Sequence, residues 1–293
     1  MPELPEVETT RRGLAPVMEG KVIARVVLNR PDLRFPIQPD FARRIDRQTV
    51  DRIDRRAKYL LLRLSSGDVL VAHLGMSGSF RVERKGASIE PATLYREILR
   101  LAAHDHVVFE MGDGGRIVYN DPRRFGFMFI AHNEELAAHP RMRGIGLEPL
   151  EPPVQPETLA NVFDGAGTSL KAALLDQKRV AGLGNIYVCE ALHRAGLSPL
   201  RQASTIAGTD RFARAARGRL ATAIQQVLTD AIEAGGSSLR DFSGADGKPG
   251  YFQHTFRVYD REGAACPSHG CKGTIERVVQ SGRSTFYCRA CQR

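Results

Sequence analysis

Four of the chain's five cysteines fall within its last 28 residues, as the pair Cys266 and Cys271 and then, after sixteen intervening residues, the pair Cys288 and Cys291. Two close thiol pairs separated by about 15 to 20 residues match a four-thiolate zinc site. Each pair supplies two soft ligands from a tight turn, so the chain between them must fold back to close a tetrahedron around one ion. The interval reads as strand over 274–279, turn over Ser281-Gly282-Arg283 and strand over 284–287. The first pair has four residues between its thiols rather than the usual two. His269 lies inside it and could replace a sulfur, but an all-cysteine set keeps both pairs intact. Four protein ligands leave no open position, so the expected Zn2+ is structural and holds together a module too small to have its own core. Arg277, Arg283, Arg289 and Arg293 make its hairpin a candidate DNA finger, although a zinc ribbon alone could equally bind protein. Cys189, far from the cluster, reads as a buried inert thiol.

Charge points the same way. The formal net charge is +9. Residues 25–63 hold eleven Lys/Arg against five Asp, and residues 248–293 hold eight basic against three acidic side chains. Such stretches attract polyanions and supply phosphate contacts, though charge alone is equally consistent with a merely soluble protein. No run of apolar residues is long enough to span a bilayer. Charged Glu3, Glu6, Glu8, Arg11 and Arg12 exclude a secretory signal, so a cytoplasmic protein, nucleoid-associated when bound to DNA, is expected.

Along the chain, Leu4, Val7, Leu14 and Met18 suit one face of an N-terminal helix whose first turn accommodates Pro5. Strand-like runs follow at 22–27, 59–64, 69–74, 106–110, 116–119 and 125–130, without long helices between them. That pattern predicts a sandwich or flattened barrel over residues 2–135 rather than a parallel α/β sheet. A linker over 136–156 ends in the proline-rich stretch 148–156. Helical periodicity then appears at 169–177, 185–192 and 210–234, followed by a Gly/Ser/Asp loop at 235–250 and the cysteine module at 251–293.

Taken together, several motifs closely resemble those of bacterial formamidopyrimidine-DNA glycosylases. They are Pro2-Glu3-Leu4-Pro5-Glu6-Val7-Glu8, Lys58-Tyr59-Leu60, His73-Leu74-Gly75-Met76-Ser77-Gly78 and Asn120-Asp121-Pro122-Arg123-Arg124-Phe125-Gly126. Leu175-Asp176-Gln177, Gly182-Leu183-Gly184-Asn185-Ile186-Tyr187, Asp246-Gly247-Lys248-Pro249-Gly250-Tyr251 and Phe286-Tyr287-Cys288 continue the series in the same order. Leu4 favours the purine-excising branch over the endonuclease VIII branch, which usually has glycine there. The resemblance implies an α+β multidomain fold: an N-terminal helix with an antiparallel β-sandwich, then a helical domain with a helix–two-turn–helix motif and the zinc-bound hairpin. It implies a monomer with DNA across an interdomain cleft, and an activity that removes oxidised purines such as 8-oxoguanine and then cleaves the strand at the abasic site by β,δ-elimination.

The same resemblance assigns roles residue by residue. Pro2, once Met1 is removed, would be a secondary-amine nucleophile that forms a Schiff base with the damaged sugar. Its reference pKa of about 8 leaves a useful neutral fraction. Glu3 would be the general acid/base and Glu6 its support, although both could merely stabilise the helix dipole. Lys58 and Arg283 would grip phosphates beside the lesion, as would Asn185, set among glycines. Met76, Arg123 and Phe125 would fill the gap left by the extruded base, Arg123 reading the orphaned cytosine. Lys171 would contact phosphate or lesion. Arg240 stands where the family commonly has lysine in its lesion-binding loop, a departure that leaves its role open. Two rival readings are an enzyme of the oxidised-pyrimidine branch and a non-catalytic zinc-ribbon DNA-binding protein.

Overall fold

The structure is a computed structural model and describes residues 2–83, 102–237 and 249–293. The chain forms two compact units, one running to Arg143 and including Ala234–Tyr251, the other comprising Gly144–Glu233 and Phe252–Arg293.

Among the described residues of the first unit, α1 (Leu4–Met18) precedes eight strands: β1 (Ile23–Leu28), β2 (Val50–Arg56), β3 (Tyr59–Leu64), β4 (Asp68–His73), β5 (Ser79–Glu83), β6 (Asp105–Met111), β7 (Arg116–Asn120) and β8 (Phe127–His132). A short helix, α2 (Phe41–Ile45), lies between β1 and β2. The strands form two antiparallel four-stranded sheets ordered β1-β6-β7-β5 and β2-β3-β4-β8. Both feed one core, into which α1 sends Val7, Leu14, Val17 and Met18 against Ile23, Ile53, Leu62, Leu70, Phe109 and Ile130. The sandwich expected from many short strands is therefore present, with α1 packed on β2 and β3.

Two strands escape the periodicity reading. β2 reads Val-Asp-Arg-Ile-Asp-Arg-Arg, and only Val50 and Ile53 are fully buried. A register shift between Val50 and Arg52 separates those two by three residues instead of an even number, erasing the alternation that marks a strand. β5 follows directly on Gly75-Met76-Ser77-Gly78, a stretch whose two glycines read as loop.

The second unit contains α3 (Pro156–Phe163), α4 (Leu170–Leu175), α5 (Asn185–Ala195) and α6 (Arg211–Glu233), then the hairpin β9 (Ile275–Gln280) and β10 (Arg283–Cys288). Pro156 opens α3 at a position that needs no N–H partner, Ser169 caps α4 by accepting from Ala172 N at 3.3 Å, and Gly196 ends α5 at φ 65°. α5 packs on α6 along one side and on β10 along another. Ala234–Tyr251, expected to follow the helical segment, groups instead with the first unit. Tyr251 N bonds Ala234 O at 2.9 Å, and Ser237 N reaches the Glu6 carboxylate at 2.8 Å. Residues 238–248, including Arg240, lie outside the described residues.

Candidate active site and nucleic-acid interface

Pro2 is buried immediately before α1, and Glu3 is the N-cap of that helix. Glu3 and Glu6 form a reciprocal capping box: the Glu3 side chain accepts from the Glu6 backbone, and Glu6 Oε2 accepts from Glu3 N at 2.8 Å. Glu6 Oε1 takes the Ser237 N–H at 2.8 Å. One buried carboxylate thus ties the backbone beside Pro2 to the start of the 238–248 segment. Glu3 is 4% exposed and Glu6 2%.

Glu8, a turn further on, holds Arg11 at 2.8 Å, Arg12 at 2.9 Å and Arg55 at 3.2 Å. Burial raises its pKa, but the guanidinium partners outweigh that and hold the carboxyl below the usual range. The Glu8–Arg55 pair fixes the end of β2 to α1. Lys58 is buried in the β2–β3 turn, just after Ala57 at φ 53°. His73, at the end of β4, stacks on Phe127 at 5.0 Å and accepts from Gly75 N through Nδ1 at 3.1 Å. Burial first, then the charges of Lys58 and Arg34, lower its pKa to about 4, so the imidazole is neutral and free to accept.

Met76 lies in the β4–β5 loop and Arg123 and Phe125 in the β7–β8 loop. Phe125 is 43% exposed, and the Arg123 guanidinium sits 4.9 Å from its ring centre. A Cβ on Gly75, which is at φ 63°, would overlap the backbone of Phe125 and Gly126, so the two loops touch main chain to main chain. The three side chains assigned to the vacated stack therefore come from two adjoining loops. Phe125 and Gly126, included in a predicted strand at 125–130, belong to the loop; the strand starts at Phe127.

In the second unit, three further expected residues converge on the hairpin tip. Ser281 and Gly282 both have positive φ, the geometry of a tight two-residue turn, and Arg283 follows them with its side chain exposed. Asn185, at the first position of α5, donates from Nδ2 to Ser284 O at 2.9 Å. Lys171 donates to the same carbonyl at 3.0 Å and to Thr285 Oγ1 at 2.6 Å. Lys171 is 1% exposed, and burial is the main cause of its lowered pKa, with Arg283 adding repulsion. Its ammonium is thus taken up by the two residues that follow Arg283.

The four sulfurs of Cys266, Cys271, Cys288 and Cys291 all lie within 4.8 Å of one another. Cys266 and Cys291 are 3.7 Å apart, and Cys271 and Cys288 are 3.6 Å apart. Tetrahedral Zn–S bonds of about 2.3 Å place neighbouring sulfurs roughly 3.8 Å apart. The set fits a structural Zn2+. His269 is exposed and outside the cluster. A Cβ on Gly273 would lie 2.6 Å from Cys288 Sγ, so only glycine lets the backbone pass the sulfurs.

Two buried residues of α5 that sequence reasoning missed serve this module. Glu190, fully buried, accepts from Arg257 N at 3.0 Å and from Val258 N and Tyr259 N at 2.9 Å. His193, one turn on, places Nε2 3.5 Å from Cys266 Sγ and 3.2 Å from Ser268 Oγ. Their only trace in the sequence is a Glu and a His three apart in the mostly apolar stretch Ile186–Ala195.

Comparison with known proteins adds three findings. The model of the formamidopyrimidine-DNA glycosylase N-terminal domain matches residues 1–128, and that of the H2TH domain of the same enzymes matches residues 145–243. Formamidopyrimidine-DNA glycosylases of Mesorhizobium japonicum and Beijerinckia indica are 56% and 57% identical to the chain, with full coverage of both sequences in each case. Among solved structures, a Lactococcus lactis FPG mutant bound to a Fapy-dG containing DNA is similar over 100% of both chains, with TM-score 0.83 and 28% identity. The MutM (Fpg) protein of Thermus thermophilus is similar with TM-score 0.81 and 37% identity over 99% of this chain and 98% of its own. Lactococcus lactis Fpg with an abasic site containing DNA gives TM-score 0.82 at 29% identity, over 99% of both chains.

Proposed function

The chain belongs to the formamidopyrimidine-DNA glycosylase family, and on that premise we propose that Pro2 is the nucleophile of a glycosylase and abasic-site lyase whose other working residues are distributed over both units. The protein excises oxidised purines from double-stranded DNA and cleaves the strand at abasic sites. What carries the residue assignment is the N-terminal constellation: Pro2 buried beside the reciprocal Glu3–Glu6 box, with Glu6 occupied by two backbone N–H groups.

The chemistry follows from those residues. Removal of Met1 exposes a secondary amine whose lone pair attacks C1′ of the damaged nucleotide as the base departs with its bonding electrons, the proton shed by the amine balancing the one the base takes up. Glu3 delivers a proton to the sugar ring oxygen, the ring opens, and the Pro2 nitrogen is left in a cationic iminium. The iminium acidifies the C2′ proton; its loss expels the 3′ phosphate, and a second elimination expels the 5′ phosphate. Glu6 holds the backbone so that the nitrogen and Glu3 keep their places. Lys58 and Arg283 hold phosphates, with Asn185 and Lys171 fixing the hairpin tip. Met76, Arg123 and Phe125 fill the stack. Zn2+ supplies no chemistry and holds the hairpin.

A protein carrying an uncleaved N-terminal fusion should bind lesion duplex yet neither excise 8-oxoguanine nor cut the strand. Proteolytic exposure of Pro2 should restore both activities. Full activity in the uncleaved fusion would overturn the assignment.

A further inference from the structure

The β4–β5 and β7–β8 loops share a buried acid that the reaction does not touch. Asp121 is fully buried. Its Oδ1 accepts from Ser77 Oγ at 2.5 Å, and its Oδ2 from Gly126 N at 2.8 Å and from Tyr119 Oη at 3.3 Å. The Ser77 hydroxyl, while donating to Asp121, accepts from Arg123 N at 3.1 Å. A hydroxyl can do both at once only when its proton is committed to one partner, and the carboxylate commits it. The backbone of Asp121 is held as well: its carbonyl lies 2.9 Å from His106 Nε2, and its N–H donates to His104 O at 3.1 Å. Tyr119 has its pKa pushed well up by burial and by Asp121, which keeps its phenol a donor.

This arrangement has a direct mechanical meaning. Ser77 neighbours Met76, the Arg123 backbone hangs on Ser77, and Gly126 follows Phe125. All three links run through one carboxylate. Arg124, in the middle of the second loop, sits at φ 54°, an uncommon conformation for a residue with a side chain. Such a conformation persists only when its surroundings over-determine it.

We propose that Asp121 is a positioning residue that locks Met76, Arg123 and Phe125 into one rigid wedge, so that base extrusion and reading of the opposite base depend on it although it contacts no DNA. This rests on the reading that those three side chains fill the vacated stack. Without the carboxylate, each loop keeps its residues but loses their mutual register. A displacement of about 1 Å at a reacting constellation can cost on the order of a hundredfold in rate.

The test compares Asp121→Asn and Ser77→Ala with wild type in two single-turnover assays. One is excision of 8-oxoguanine from duplex DNA; the other is cleavage of a preformed abasic site in single-stranded DNA, where there is no stack to fill. Both variants should lose about ten- to hundredfold in duplex excision, lose part of the preference for cytosine over adenine opposite the lesion, and cleave the single-stranded abasic site like wild type. Equal loss in both assays would reduce Asp121 to a fold-stabilising role and overturn the proposal, as would unchanged excision and unchanged opposite-base preference. Should Asp121→Asn fail to fold, Ser77→Ala decides. Phe125→Ala and Met76→Ala separate the two levels: if they leave excision intact, the wedge reading itself fails, whereas if they impair it and the Asp121 and Ser77 variants do not, only the role of Asp121 fails.

Discussion

Glu3 and Glu6 sit one helical turn apart, equally buried, yet their bonding differs. Glu6 has one oxygen on Glu3 N and the other on Ser237 N, while Glu3 faces the helix end beside Pro2. Glu3→Gln keeps the shape and a hydrogen-bonding oxygen but removes the transferable proton. Its expected result is near-normal lesion binding with single-turnover excision reduced by about a hundredfold or more, and near-normal excision would contradict the assignment. His73 gives a pH prediction. It titrates at about 4 in the folded protein against 6.5 ordinarily, so between those values the unfolded chain binds the extra proton. Its stabilising contribution is complete above pH 6.5 and drains away as pH falls to 4, by up to about 3 kcal/mol. Urea unfolding of His73→Gln should therefore lose less stability between pH 7.5 and 4.5 than wild type; identical losses would refute it. Pro2, Glu3, Met76 and Arg123 stand out as candidates in the sequence because they occur in compact motifs. Asp121 also lay in a motif, but its task depends on Ser77, 44 residues away, and no local spacing reveals that.

The zinc hairpin shows how elements share the work. The cysteine spacing predicted its strands almost to the residue, since a tetrahedral site dictates where the chain must turn. What spacing could not show is the anchorage to α5. Glu190 reaches three consecutive N–H groups from a helix some 67 residues away in sequence. Truncating it strands buried donors, each worth about 1–3 kcal/mol. Glu190→Ala should cost roughly 3 kcal/mol or more in urea unfolding, and a loss within experimental error would show that the anchor is dispensable. β2 gives the complementary lesson: its bulge destroyed the alternation by which strands are read, and only pairing with the plainly apolar β3 defines it. Chelation of the zinc frees the hairpin and with it Arg283. Affinity for lesion duplex should fall while the Pro2 adduct still forms at saturating DNA; unchanged affinity after verified zinc loss would contradict this.

For the molecule as a whole, the proposed nucleophile and wedge lie in the first unit, and the hairpin proposed to hold phosphate lies with the cysteine cluster in the second. The charge excess of the two basic stretches was visible at once, whereas the grouping of Ala234–Tyr251 with the first unit was not, because the bond from Ser237 N to Glu6 joins residues 231 apart in the sequence. Every step of the proposed mechanism runs through the nitrogen of Pro2. Borohydride reduction during reaction with 8-oxoguanine duplex, followed by peptide mass analysis, measures that directly. The reduced sugar should be found on an N-terminal peptide that begins with Pro2 and lacks Met1. An adduct on any lysine, or full activity in protein that retains Met1, would refute it.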